Sequence, residues 1–147
     1  MSYGALKQED GEKRERLCVL VADDEQDMRE EVARALGGDF HIIEIDSGDR
    51  VIQYLRGCVV SEGRVRMPDA IVSDIRMPGC SGFDVLKAVR DLSVDIPVIL
   101  MTAFGDSTTH QEARQLGAVE TFDKPFDADD FRIAVLCACS SRRGAGQ

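Results

Sequence analysis

Nothing in the 147-residue sequence approaches a membrane-spanning apolar run, although 44% of it is hydrophobic. The first sixteen residues, MSYGALKQEDGEKRER, have no apolar stretch. A secretory signal is therefore not expected, and a cytoplasmic protein with no membrane partner is. Positive charge is in deficit, with 18 Lys and Arg against 27 Asp and Glu for a net charge of −9. Direct nucleic-acid binding needs a basic surface and is not expected here. The five cysteines (Cys18, Cys58, Cys80, Cys137 and Cys139) are odd in number and include no C-x-x-C, so neither a disulfide framework nor a zinc site is indicated. Cys18, Cys137 and Cys139 lie in apolar or helical runs and read as small core residues, whereas Cys80, in a Gly-flanked loop, could be a reactive thiol. Of the two histidines, His41 falls in a strand and His110 on a polar helix face, so neither supports a kinase. There is no internal repeat.

What is present alternates. Residues 1–16 read as a flexible extension, 17–139 as one domain and 140–147 as a disordered tail. Leu17 to Ala22 is a continuous apolar run, the mark of a strand buried on both faces. Asp27 and Glu30 then resemble an N-cap pair, and Met28, Val32 and Leu36 recur at helical spacing up to Gly37-Gly38. A second strand is expected over 41–45, and a helix with Val51, Ile52 and Leu55 on one face. A partly basic connection follows from Arg56 to Met67. Ala70 to Asp74 is strand three. Ser81 and Asp84 form a capping-box pattern ahead of a helix facing inward through Phe83, Leu86 and Val89. Ile96 to Met101 is strand four, 106–116 a polar and weakly docked helix, Val119 to Asp123 strand five, and Phe131, Val135 and Ala138 line a last helix.

Five apolar strands alternating with five helices imply a doubly wound α/β fold, a parallel sheet covered on both sides. Ligands of such sheets sit beyond the carboxyl ends of the strands. There the sequence places Asp23-Asp24 after strand one, Asp74 after strand three, Thr102 after strand four and Lys124-Pro125 after strand five. Singly, each has an ordinary role: an acid capping a helix, a hydroxyl meeting water, a solvated lysine. Together they would crowd three carboxylates, whose mutual repulsion is ~4 kcal/mol per pair at about 4 Å in an effective dielectric near 20. A shared hard cation such as Mg²⁺ relieves it. A lysine and a hydroxyl suit phosphate oxygens, so the set could support in-line attack by a carboxylate on a phosphoryl group.

The segments VLVADDE at 19–25, PDAIVSDIRMPGCSGFDVL at 68–86, PVILMTAFGD at 97–106 and GAVETFDKPFD at 117–127 resemble the receiver domain of two-component response regulators, of the chemotaxis and nitrogen-regulator type, from about Leu17 to Ala138. The resemblance implies a flavodoxin-like (βα)5 fold with strand order 2-1-3-4-5, an order taken from a chemotaxis member of the family. It implies that Asp74 is the phosphoacceptor. Asp24, Asp74 and the Arg76 backbone carbonyl would hold Mg²⁺ directly, and Asp23 would act mainly through a metal-bound water. Lys124 and Thr102 would meet phosphoryl oxygens, and the Lys124-Pro125 bond would be cis. The donor would be a phosphohistidine on a sensor histidine kinase or a histidine phosphotransfer protein. The chain would assist its own phosphorylation and dephosphorylation without being an enzyme in the usual sense.

One position departs from that pattern. The family usually places an aromatic ring three residues before the lysine, where this chain has Thr121, and Phe122 should face the other side of the strand. Arg76 and Phe104 flank the entry for attacking water and are expected to tune phosphoryl lifetime. Three rivals stand beside this reading. An aspartyl-nucleophile phosphatase wants Asp-x-Asp after the first strand and a receiver-like docking scaffold would not be phosphorylated. A flavodoxin-like carrier would need a Ser/Thr/Gly-rich loop where EQDMREE stands. The chain is expected either to act alone by protein contact or to be a piece of a longer protein. An effector, or a second copy, would use the 106–139 face.

Overall fold

The computed structural model describes residues 16–145, so the extension expected over 1–16 lies outside the described residues except for Arg16. Strands and helices alternate as β1 (Leu17–Ala22), α1 (Gln26–Leu36), β2 (Phe40–Ile45), α2 (Gly48–Val60), β3 (Ala70–Asp74), α3 (Gly82–Asp91), β4 (Val98–Thr102), α4 (Ser107–Leu116), β5 (Glu120–Asp123) and α5 (Ala128–Ala145). The strands form one parallel sheet in the order β2-β1-β3-β4-β5, the flavodoxin-like doubly wound fold. β3 and β4 are buried at every position and β1 at all but Leu17, which is why these segments are apolar up to the polar residues Ser73, Asp74 and Thr102 at the carboxyl ends of β3 and β4. β2 and β5 are the edges and keep exposed positions.

The alternation of side chains along each strand splits the core in two. Leu20, Ile71, Val98 and Leu100 pack with Val51 and Leu55 of α2, Val85 and Leu86 of α3 and Ala113 of α4. Val19, Val21, Val72, Ile99 and Met101 pack on the other face with Val32 and Leu36 of α1 and Phe131, Val135 and Cys139 of α5. Each fully buried Leu, Ile or Val contributes about 1.5–3 kcal/mol. Because every strand is parallel, all five carboxyl ends reach the same edge.

Four local expectations are corrected. The N-cap of α1 is Glu25, not Asp27, which lies in the first turn; the turn is instead tied by Asp23 Oδ1 accepting from the Glu25 N–H at 3.0 Å. α2 continues through Arg56 to Val60, because Val51, Leu55 and Cys58 extend its buried stripe by one more turn. α5 runs to Ala145, so the tail expected to be disordered from 140 is helical over 140–145; Ser140 to Arg143 contains no helix breaker. Cys137 is exposed rather than core, since Phe131, Val135 and Cys139 recur every four residues and leave 137 on the outer face. Cys18, Cys58 and Cys139 are buried. Among the described residues no helix is long and apolar enough to cross a membrane.

Candidate functional site

β1 and β3 each end in acid, and parallel pairing lays those ends side by side: Ala22 pairs with Ser73, so Asp23 and Asp74 follow at adjacent positions. One carboxylate oxygen from each of Asp23, Asp24 and Asp74 lies within 4.8 Å of the others. Asp23 is fully buried, Asp74 is 8% exposed and Asp24 is exposed. Lys124, delivered by β5, places its ammonium 3.3 Å from Asp23 Oδ2 and 3.5 Å from Asp74 Oδ2. Its backbone is held by a 2.8 Å bond from its N–H to the Thr102 carbonyl. The Lys124-Pro125 peptide is cis.

Burial pushes the Asp74 carboxyl above the usual carboxylate range, with the neighbouring Asp23 adding to the rise. Lys124 and the Arg76 backbone N–H pull it back down. Three oxygens converging in this way can coordinate a divalent cation, and an all-oxygen donor set suits a hard one. A single lysine shared by two of the acids leaves the cluster short of positive charge, which fits the same conclusion.

The backbone around Asp74 is fixed tightly. Ser73 donates to the Asp74 carbonyl at 2.9 Å, and Gly82 N–H reaches the Ile75 carbonyl at 2.9 Å. A Cβ on Gly82 would fall 2.6 Å from the Asp74 carbonyl oxygen, so α3 can start this close to the acid only with glycine there. Ser81 caps that helix as expected, accepting from Asp84 N–H at 3.2 Å while Asp84 Oδ2 accepts from Ser81 N–H at 2.8 Å. Thr102, one register step beyond Asp74 on the next strand, is buried, and its Oγ1 accepts from Phe104 N–H at 3.1 Å. Arg76 stacks its guanidinium over the Phe104 ring at 4.9 Å, joining the loops after β3 and β4; Phe104 is 69% exposed.

Thr121 faces α4, where with His110 and Arg114 it lines a polar pocket of about 310 Å³. Phe122 turns the other way, edge-on to Phe126 and Phe131 at 5.7 and 5.3 Å. The thiol of Cys80 is held above its usual range chiefly by a hydrogen bond to Asp49, which argues against a reactive role.

Three further groups hold the site and escaped the sequence. Asp49, at the start of α2, accepts from Cys80 N–H at 3.0 Å and ties down the loop after β3. His110 Nε2 lies 2.9 Å from Asp123 Oδ1, next to Lys124. Arg29 reaches the Asp23 carbonyl. Their partners lie 31, 13 and 6 residues away in sequence, beyond any local pattern.

An open parallel sheet with this acid cluster at its carboxyl edge, a lysine bridging two of the acids and a buried hydroxyl on the next strand, is the architecture of a phosphoacceptor module. The chain belongs to the response regulator receiver domain family, which matches residues 19–136. It is 38% identical over 95 residues to the regulatory protein LuxO of Vibrio cholerae, covering 65% of this chain and 21% of that one. Sporulation initiation phosphotransferase F of Bacillus subtilis is 43% identical over 68 residues, 46% of this chain and 55% of that one. The beryllofluoride-activated NtrC4 receiver domain dimer superposes with a TM-score of 0.74 at 25% identity, over 85% of this chain and 98% of that one. The chain thus spans between about a fifth and about half of the two curated relatives named. The family is one of two-component signal transduction and phosphorelay, not of classical catalysts, which leaves the phosphatase rival without support.

Proposed function

We propose that the domain accepts a phosphoryl group onto Asp74 from a phosphohistidine donor, a sensor histidine kinase or a histidine phosphotransfer protein, and thereby switches its protein contacts. The observation that carries this is the convergence of the three carboxylates with Lys124 on two of them. In the transfer, an Asp74 Oδ–P bond forms as the P–N bond of the phosphohistidine breaks, and the imidazole leaves. Asp74 is largely buried and partly desolvated, and its carboxylate form is the oxygen nucleophile. Lys124 already bonds Asp74 and is the group best placed to take over a phosphoryl oxygen, and Thr102 offers its hydroxyl from the adjacent strand.

Mg²⁺ is the cation these residues suit: Asp24, Asp74 and the Arg76 carbonyl would hold it with Asp23 assisting, and it would neutralise charge on the phosphoryl oxygens. A second copy or an effector would use the face built by α4, β5 and α5. Val119 and Ile133, 57% and 58% exposed, flank a groove of about 680 Å³ there, and the similar NtrC4 receiver is described as a dimer.

Intact mass after incubation with acetyl phosphate tests the reading. One phosphoryl adduct is expected, dependent on Mg²⁺ and absent in Asp74→Asn. If neither acetyl phosphate nor phosphohistidine donors yield an adduct on folded protein, the docking-scaffold reading replaces it.

A further inference from the structure

Asp23 is bonded at every polar atom. Its N–H donates to the Ile45 carbonyl at 3.2 Å, Oδ1 accepts from Glu25 N–H at 3.0 Å, and Oδ2 meets Lys124 at 3.3 Å. The remaining atom, its carbonyl oxygen, accepts from Arg29 Nη1 at 2.7 Å. Arg29 sits in the first turns of α1 with its side chain only 15% exposed, and its Nε is held 3.2 Å from Glu44 Oε1 on β2. The planar guanidinium therefore spans from the edge strand to the loop that carries the acid pair, with one N–H directed to each.

The Asp23 carbonyl belongs to the peptide that joins Asp23 to Asp24. That unit is planar, so fixing its oxygen also fixes the nitrogen and the chain direction of Asp24. Asp24 is exposed, and its place in the cluster depends on that backbone. We infer that Arg29, itself held by Glu44, is a positioning residue for the cation site, setting the peptide between the two acids so that Asp24 completes the triad. This rests on the Mg²⁺ reading above and adds to it a part of the molecule that bears no metal-binding group.

Charge and position make opposite demands at this residue. A guanidinium near a cation site repels the cation through space, so deleting Arg29 would tighten Mg²⁺ binding if charge were all that mattered. A positioning role demands the reverse. Partners that orient metal ligands cost roughly 10- to 100-fold in affinity when removed.

The experiment is calorimetric titration of Mg²⁺ into the whole chain, for wild type, Arg29→Ala, Arg29→Lys, Glu44→Gln and the Arg29→Ala, Glu44→Gln double variant, with thermal unfolding of each metal-free protein alongside. Arg29→Ala should weaken Mg²⁺ about tenfold or more, and Arg29→Lys, which keeps the charge and an N–H donor, should fall between it and wild type. Glu44→Gln, at a half-exposed position, should weaken binding in the same direction and add little on the Arg29→Ala background. Equal or tighter binding by Arg29→Ala or Glu44→Gln overturns the proposal while leaving the metal reading intact. Failure of wild type itself to bind Mg²⁺ overturns both, and is recognised because every variant is then silent.

Discussion

His110 of α4 and Asp123 of β5 meet at 2.9 Å directly over Gly105, in the loop that follows Thr102. A Cβ on Gly105 would fall 2.0 Å from Asp123 Oδ1, 2.6 Å from Thr102 Cγ2 and 2.9 Å from His110 Nε2. The pair thus ties α4 to the residue before Lys124 on the side of β5 where Thr121 takes the place of the usual ring. His110→Ala should lower global stability by only about 0–1 kcal/mol, as expected of a half-exposed pair, yet speed amide exchange across α4. Gly105→Ala should cost more, about 1–3 kcal/mol in denaturant unfolding, because the Thr102 methyl lies in the way. Unchanged exchange in α4 of His110→Ala would show that the pair does not hold the helix.

Asp74 has a folded-state carboxyl raised above its ordinary value by burial and by Asp23. A carboxyl raised on folding destabilises the native state above its unfolded value, and that loss is regained as pH falls through the raised one. In chelator, Asp74→Asn should therefore be more stable than wild type at neutral pH, by about 1 kcal/mol, with the difference shrinking toward acid pH. Mg²⁺ should reverse the order. At about a hundred times its dissociation constant it stabilises wild type by roughly 2.7 kcal/mol and the variant, lacking a ligand charge, by less. Melting curves with and without Mg²⁺ read both effects.

Arg76 and Phe104 form a cover between the two loops that flank Asp74. A cation–π contact at an exposed site contributes about 0.5–1 kcal/mol. If that cover restrains attacking water, the Arg76→Ala, Phe104→Ala double variant should lose its phosphoryl group roughly two- to fivefold faster. Equal half-lives, followed by loss of the phosphoryl mass, would remove the cover from the account of lifetime.

The five thiols should separate by reactivity. Burial pushes the Cys18 thiol up to about 11, and Cys58 is raised for the same reason. Asp49 raises Cys80, whereas Cys137 is exposed on α5. Brief alkylation of native protein near pH 8 should label Cys137 first and Cys80 slowly, with Cys18, Cys58 and Cys139 labelled only after unfolding. Early labelling of Cys18 in peptide mass maps would mean that β1 opens locally.

Much of the fold was legible because parallel strands buried on both faces leave unbroken apolar runs. The apolar runs predict Leu17–Ala22 and Ala70–Asp74 to the residue, while β4 begins at Val98, two residues past the predicted Ile96 and after Pro97. Helix ends were less legible. Asp27 looked like a cap, but the cap position depends on where the chain leaves β1, and Asp23 had already tied that turn. The tail past 139 has the composition of a loop, yet it extends a helix whose earlier turns are anchored by Phe131 and Val135.

The sequence by itself determined the order of elements and which chemical groups stand at the carboxyl ends of the strands, since those depend on periodicity and on position along one chain. It also marked Thr121 as the departure at the site. Only the tertiary structure decided that Arg29 reaches back to Asp23 from α1 with Glu44 behind it, that Asp49 holds Cys80, and that His110 closes on Asp123. The physical reason is that such bonds need donor and acceptor within about 3 Å. Side chains from different elements come that close only after the sheet order and the packing of helices on its two faces have been set.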